Sequence, residues 1–222
     1  MLDFFVKTSV DGDLVLTTSG TIALCAVFVL ILVLASLTFK KNTQTKISTK
    51  QLVFCSIAMA LALITSYIEL YSFIFGGSIT LFSMAFICII GYLYGARISI
   101  PVAIAYGLLQ FLIKPYIVHP SQILLDYPLA FGALGLSGLF YKSKHGLLKG
   151  YFVGIIGRWV FSSISGYIFY SEWAWDGWNP LAYTLVYNGA YIFAEAAITM
   201  ILLVMPVVFE AITQVKKMAC ED

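Results

Sequence analysis

Asp126 is a carboxylate inside an apolar run, and Tyr127 follows it directly. Similar exceptions stand in neighbouring apolar runs. Ser162, Gly166 and Tyr170 fall in one, Tyr183 and Asn188 in the next, and Tyr116 lies just ahead of the run that holds Asp126. One carboxylate, one amide, one hydroxyl and several aromatic faces are the materials of a small-ligand pocket. Polar groups at membrane depth are expensive, so they face a cavity or a partner. A carboxylate among aromatic walls suits a ligand that is cationic, planar and rich in donors, because ring faces attract cations.

Catalytic chemistry lacks its parts. The two histidines, His119 and His145, fall in loops between runs, no H-E-x-x-H occurs, and Ser162 and Ser163 have no evident base. Cys25, Cys55 and Cys88 sit in apolar runs and Cys220 in the tail, at spacings that match no metal motif. No G-x-x-x-x-G-K-[ST] is present, so the chain does not use ATP through a P-loop. No metal, cofactor or nucleic-acid partner is expected. A channel-like structural protein would account for the apolar runs but not for the carboxylate–aromatic cluster.

The elements that must hold these groups are membrane helices. Of 222 residues, 61% are hydrophobic and 11% charged, against about a quarter charged in soluble chains. An uninterrupted apolar run at 20–39 is long enough to cross a bilayer. Six further spans are expected at 51–69, 79–95, 98–114, 122–140, 150–170 and 181–206. Lys40, Lys41, Lys46 and Lys50 follow the first run, and clustered Lys/Arg marks the cytoplasmic side. Alternating the spans brings Arg97, Lys142, Lys144, Lys149, Lys216 and Lys217 to that side as well, ten of the thirteen Lys/Arg in all. The expectation is an all-α integral membrane protein with seven spans, N-terminus outside and C-terminus inside. Its parts are an outer tail (1–18), a first helix with a basic linker (19–50), a six-helix membrane domain (51–206) and a cytoplasmic tail (207–222).

Counting residues along the spans gives depth. Gly166 and Ser162 lie about 6 and 12 Å below Tyr170, Asn188 about 10 Å below the mouth and Asp126 about 6–8 Å below it. These groups converge on the outer half of the membrane. Trp173, Trp175 and Trp178 crowd the outer loop 171–180, as interfacial aromatics do, and Gly76–Gly77 give the loop 70–78 freedom to fold over a mouth. Arg158 and Glu195 lie deeper, at nearly one level on consecutive helices, and are expected to form a buried structural ion pair. Ala58 and Ala62, four apart on the span 51–69, offer a small-residue face that another helix can approach.

Three stretches carry a family resemblance: SIAMALA (56–62), SQILLDYPLAFG (121–132) and ISGYIFYSEWAWDGWNPLAYTLVYNG (164–189). Together they resemble the substrate-binding subunits (S-components) of energy-coupling-factor vitamin transporters, most nearly the thiamine-specific type. The resemblance implies a six-helix bundle over 51–206, to which the span 20–39 is an addition, in a bacterial cytoplasmic membrane. It implies thiamine as ligand, with Asp126 and Tyr127 at the acidic contact, Tyr183 and Asn188 as later binding residues, Tyr170 as a stacking ring, Tyr116 on the loop side and Gly166 as a close-packed glycine. Ser162 stands where the family is known to carry histidine, and Tyr170 where tryptophan is familiar. It also implies docking through Ala58 and Ala62 onto a transmembrane coupling subunit that works with two cytosolic ATPases. Another vitamin or a thiamine precursor is the alternative cargo.

Overall fold

A computed structural model describes residues 6–8, 14–17, 19 and 47–220. The span expected at 20–39 lies outside the described residues. Two short strands, β1 (Val6–Thr8) and β2 (Leu14–Leu16), pair antiparallel near the N-terminus.

The membrane domain begins at α1 (Thr49–Ser66). Ser48 caps it: its hydroxyl accepts from the Gln51 backbone N–H, and the Gln51 side chain accepts from the Ser48 N–H. This reciprocal pair satisfies donors that a helix start leaves open. A β-hairpin follows, β3 (Glu69–Ser72) with β4 (Ser78–Thr80). The sequence predicts spans over 51–69 and 79–95, and the hairpin instead takes the end of the first and the start of the second. The helix α2 (Ser83–Tyr94) therefore has 12 residues. At helical rise that covers about 18 Å, less than the hydrocarbon core. The short helix is apolar throughout and sits at the centre, with Met84, Ile87 and Ile90 fully buried, as a helix without a polar face must be.

α3 (Ala96–Ile113) leads to α4, a continuous helical path over Gln122–Phe140. Within α4 the turn Leu125–Leu129 widens to a π-helix and Ala133–Phe140 tightens to a 3-10 helix. Pro128 lies in the widened turn; it has no N–H to give and its ring crowds the preceding carbonyls, and an expanded turn relieves both. The same turn carries Asp126 and Tyr127. α5 (Gly146–Phe169) and α6 (Pro180–Val204) complete the domain. Asn179 caps α6 by accepting from Leu181 N at 2.8 Å, with Pro180 at the first helical position, where proline is favoured.

Five of these helices are long and apolar enough to span a membrane: α1, α3, α4, α5 and α6. The expected tail is largely ordered as α7 (Pro206–Cys220). It packs on the end of the bundle opposite the hairpin, where Lys216 Nζ donates to the Tyr141 carbonyl at 2.9 Å and stands 3.7 Å from the Tyr92 ring centroid.

One expectation about faces is corrected. Ala58 and Ala62 point into the bundle rather than outward. Ala62 is fully buried, Ala58 is 9% exposed, and Tyr106 donates to the Ala62 carbonyl at 3.2 Å. The small side chains let α1 lie close against its neighbours. The outward face of α1 carries Leu52, Val53, Ser56, Ile57, Ala60 and Ile64.

Candidate binding site

A cavity of about 380 Å³ opens at the hairpin end of the bundle. All eight residues expected at a ligand site line it: Tyr116, Asp126, Tyr127, Ser162, Gly166, Tyr170, Tyr183 and Asn188. Along α5 and its C-cap Tyr170, Arg158, Ser162, Gly166 and Tyr170 recur every fourth residue and all line it, because positions four apart stack on one helix face.

The upper wall is built around Gln122, which is 1% exposed. Its amide nitrogen reaches Asp126 Oδ2 at 2.7 Å, the Tyr170 hydroxyl at 2.7 Å and the Tyr116 carbonyl at 3.3 Å. Its amide oxygen accepts from Val118 N at 2.9 Å. One side chain thus joins the carboxylate, a ring and the loop before α4. Tyr116 and Tyr170 lie nearly parallel, 11° between planes with centroids 6.4 Å apart. Tyr127 has a positioning part: its hydroxyl donates to the Lys114 carbonyl at 3.0 Å and accepts from Tyr116 N at 2.9 Å. It secures the loop that presents Tyr116.

α6 supplies the opposite wall. Asn188 donates to the Ser162 carbonyl at 3.3 Å and the Thr184 carbonyl at 3.0 Å, and accepts from the Tyr191 hydroxyl at 2.8 Å. Its amide is thereby held in one orientation. Gly166 faces Thr184 so closely that an added Cβ would overlap its hydroxyl; glycine there lets α5 and α6 close on each other. Tyr183, Tyr187 and Tyr191 form a ladder with centroids 5.8 and 6.0 Å apart.

The hairpin lies over this ladder. Phe75 N donates to the Tyr187 hydroxyl at 3.1 Å, and the Phe75 ring sits 6.0 Å from Tyr187 and 5.9 Å from Trp173. Gly77 packs against the Tyr191 ring, where a side chain would collide. At the rim, Lys114 Nζ meets Glu69 Oε1 at 2.5 Å. The Lys114 hydrogen bond, then the Ser72 hydroxyl, hold the Glu69 carboxyl below its ordinary pKa.

The expected Arg158–Glu195 ion pair is not formed. Glu195, 2% exposed, accepts from Thr80 N (3.1 Å), Thr80 Oγ1 (2.7 Å), Ser83 Oγ (3.3 Å) and Met84 N (3.3 Å). Hydrogen bonds to a buried carboxylate replace a counter-ion, and the start of α2, which has no side-chain cap of its own, receives one from α6. Arg158 instead lays its guanidinium over the Phe131 ring, 4.2 Å from the centroid, and lines the cavity.

Sequence reasoning missed Gln122, Phe75, Tyr187, Tyr191 and Thr80. A signal for two of them was present: Tyr183, Tyr187, Tyr191 and Glu195 are spaced by four, which puts them on one face of α6. Among the described residues no cluster of His, Cys, Asp or Glu is arranged to hold a metal ion.

Residues 52–215 match the family described as "Thiamine transporter protein (Thia_YuaJ)". The chain belongs to this family. It is 31% identical over 147 residues to the thiamine transporter ThiT of Bacillus subtilis (strain 168), covering 59% of this chain and 76% of that protein. The thiamine transporter ThiT of Lacticaseibacillus paracasei is 29% identical over 98 residues, covering 38% of this chain and 49% of that protein. A solved structure titled as ThiT from Listeria monocytogenes superposes with a TM-score of 0.58 at 27% identity, covering 72% of this chain and 96% of that one. Family membership bears out the resemblance read from the sequence. It makes the protein a transporter rather than an enzyme, and with the five apolar helices a multi-pass protein of the cell membrane.

Proposed function

We propose that this chain is the thiamine-binding S-component of an energy-coupling-factor importer. It captures thiamine from outside in the cavity between α4, α5, α6 and the hairpin. The observation that carries this reading is the Asp126 carboxylate, held at the cavity wall by Gln122 and joined through the same side chain to Tyr170, whose ring lies parallel to Tyr116, in a member of the thiamine transporter family. Thiamine offers an aminopyrimidine that donates hydrogen bonds and a thiazolium cation that ring faces attract. Asp126 receives the aminopyrimidine and offsets the cationic charge. Tyr170, Tyr116 and Phe75 furnish ring faces, while Asn188 and Tyr183 fix orientation. The hairpin at Gly76–Gly77 closes over the ligand.

Release needs an energy source that this chain does not carry. We assign it to a transmembrane coupling subunit and two cytosolic ATPases, docked through the outward face of α1, the least buried of the spanning helices at 17%. Ser56 and Ala60 make a small-residue pair on that face, which lets a partner helix approach closely. Trp173 lies 5.5 Å from Tyr170, so intrinsic fluorescence reports occupancy. Titration of the purified protein with thiamine, its pyrophosphate and riboflavin tests the reading. Saturable quenching by thiamine is expected; a tight response to riboflavin with none to thiamine would overturn the cargo.

A further inference from the structure

Arg158 lies at the deep end of the cavity, three helical turns below Tyr170 on the same face of α5. Its Nε is buried without a hydrogen-bond partner. The ion pair formed among the described residues is Glu69–Lys114 at the rim, so Arg158 has no carboxylate against it. Guanidinium presents five N–H donors in its plane, accepts nothing and stays charged. Phe131 covers one face of that plane, which does nothing for donors pointing along its edge.

The Glu195 and Asp126 carboxylates and the Tyr106 hydroxyl are committed elsewhere. The Glu195 carboxylate already receives four donors from Thr80, Ser83 and Met84. The Tyr106 hydroxyl donates to the Ala62 carbonyl and accepts from Gln110 Nε2 at 2.6 Å. Asp126 is engaged by Gln122 higher in the wall. A buried donor left unmade is costly, and Arg158 lines the ligand cavity, where the terminal nitrogens of the same guanidinium can meet a ligand.

We infer that Arg158 is a specificity-determining residue of the site, donating from its guanidinium to a ring nitrogen of the bound heterocycle. The inference rests on the thiamine reading above and sharpens it. Asp126 selects a hydrogen-bond donor and Arg158 an acceptor, so the cavity reads an edge that carries both. An aminopyrimidine has such an edge, with an exocyclic amino group beside ring nitrogens. An organic cation without an acceptor meets only like charge at the deep end and is rejected.

The test uses the full chain and three ligands: thiamine, and two analogues in which one or the other aminopyrimidine ring nitrogen is replaced by C–H. Affinities are measured by tryptophan fluorescence for the unaltered protein, Arg158→Met and Arg158→Lys. The unaltered protein should bind one of the two analogues at least about tenfold more weakly than thiamine, since a site built to donate rejects a ligand without the acceptor. Arg158→Met should weaken thiamine by about ten- to a hundredfold while changing that analogue by no more than about twofold. Arg158→Lys keeps the charge but loses the planar fork, and should shrink the ratio between the two ligands. A merely structural arginine would weaken all three ligands together, and that outcome overturns the inference. So do equal affinities of the unaltered protein for thiamine and both analogues, which settles the matter even if Arg158→Met does not fold. An unchanged ratio in Arg158→Lys overturns it as well. If the unaltered protein ignores thiamine, the cargo reading fails first and takes the inference with it; every other negative result leaves the cargo reading standing.

Discussion

Thr80 binds Glu195 twice, through its backbone N–H at 3.1 Å and its hydroxyl at 2.7 Å, both to Oε2. A residue at the end of the hairpin is thereby fastened to α6 across 115 positions of chain. The other carboxylate oxygen, Oε1, accepts from the Met84 N–H and the Ser83 hydroxyl at the start of α2. Glu195→Gln puts a donor where donors already point. Hydrogen bonds to charged groups contribute about 1.5–3 kcal/mol each, so the variant should lose about 3 kcal/mol of stability and bind thiamine more weakly because Thr80 lines the cavity. Thermal unfolding in detergent measures the first effect and fluorescence titration the second. Since Arg158 is not the partner, Glu195→Gln and Arg158→Met should combine additively in stability, within about 0.5 kcal/mol. A milder double variant would restore the ion pair.

Asp126 lines the cavity and is joined through Gln122 to Tyr170, whose ring lies parallel to Tyr116. Asp126→Asn keeps the shape and removes the charge, and should weaken thiamine binding about ten- to a hundredfold, the equivalent of a lost charge-assisted hydrogen bond. Tyr170→Ala should weaken it too by removing the ring parallel to Tyr116. Tyr170→Trp should preserve or improve it, because indole is the stronger cation–π face. Isothermal titration of each variant decides; indifference to Asp126→Asn would remove the carboxylate from the site.

Depth was legible in the sequence and azimuth was not. Helical rise brings Asp126, Gly166 and Asn188 together in the outer half of the membrane below Tyr170, and all four line one cavity. The same counting put Arg158 level with Glu195, yet α5 turns Arg158 toward Phe131 while Glu195 faces Thr80. Rise per residue is a property of one helix; the rotation of two helices about their axes is decided by packing. The alanines show the same gap. Ala58–Ala62 and Ser56–Ala60 are both small pairs spaced by four, and only burial tells which faces inward. The hairpin was hidden because Leu70–Phe75 is as apolar as a helix end, and its pairing with Ser78–Thr80 is a contact between segments. Gln122 was overlooked because one polar residue at a helix start reads as interfacial, whereas here it is buried and joins three groups.

Glu69 and Lys114 tie the hairpin to the end of α3 at the cavity rim. Both are partly exposed, at 29% and 40% of their side chains, so salt should weaken the contact. The Glu69 pKa is lowered in the folded protein, first by the Lys114 hydrogen bond. The stabilisation is therefore present above the ordinary Glu value of about 4.5 and is lost as pH falls through the lower folded value. Lys114→Met should speed thiamine dissociation by about two- to fivefold at low salt, the range of an exposed ion pair, and should remove the salt dependence of that rate. Stopped-flow fluorescence at two ionic strengths measures it. A salt dependence that persists unchanged in Lys114→Met would show that the pair does not latch the hairpin.

The two small-residue pairs of α1 make opposite predictions. Ala62 is fully enclosed and touches the Tyr106 hydroxyl through its carbonyl, so Ala62→Trp has no space and should destabilise the protein by overpacking, by about 1–3 kcal/mol or more. Its binding and uptake should fall together. Ser56 and Ala60 face outward, so Ser56→Trp with Ala60→Trp should leave folding and thiamine affinity within about twofold of the unaltered protein, as surface changes do. The same bulk should prevent close approach of a partner helix and abolish uptake of labelled thiamine by cells. Binding by the purified protein and uptake by cells, measured side by side, separate the two pairs. If the Ser56/Ala60 variant still imports thiamine, the coupling subunit does not dock on this face of α1. If it loses binding as well as uptake, the outward face of α1 supports the bundle itself.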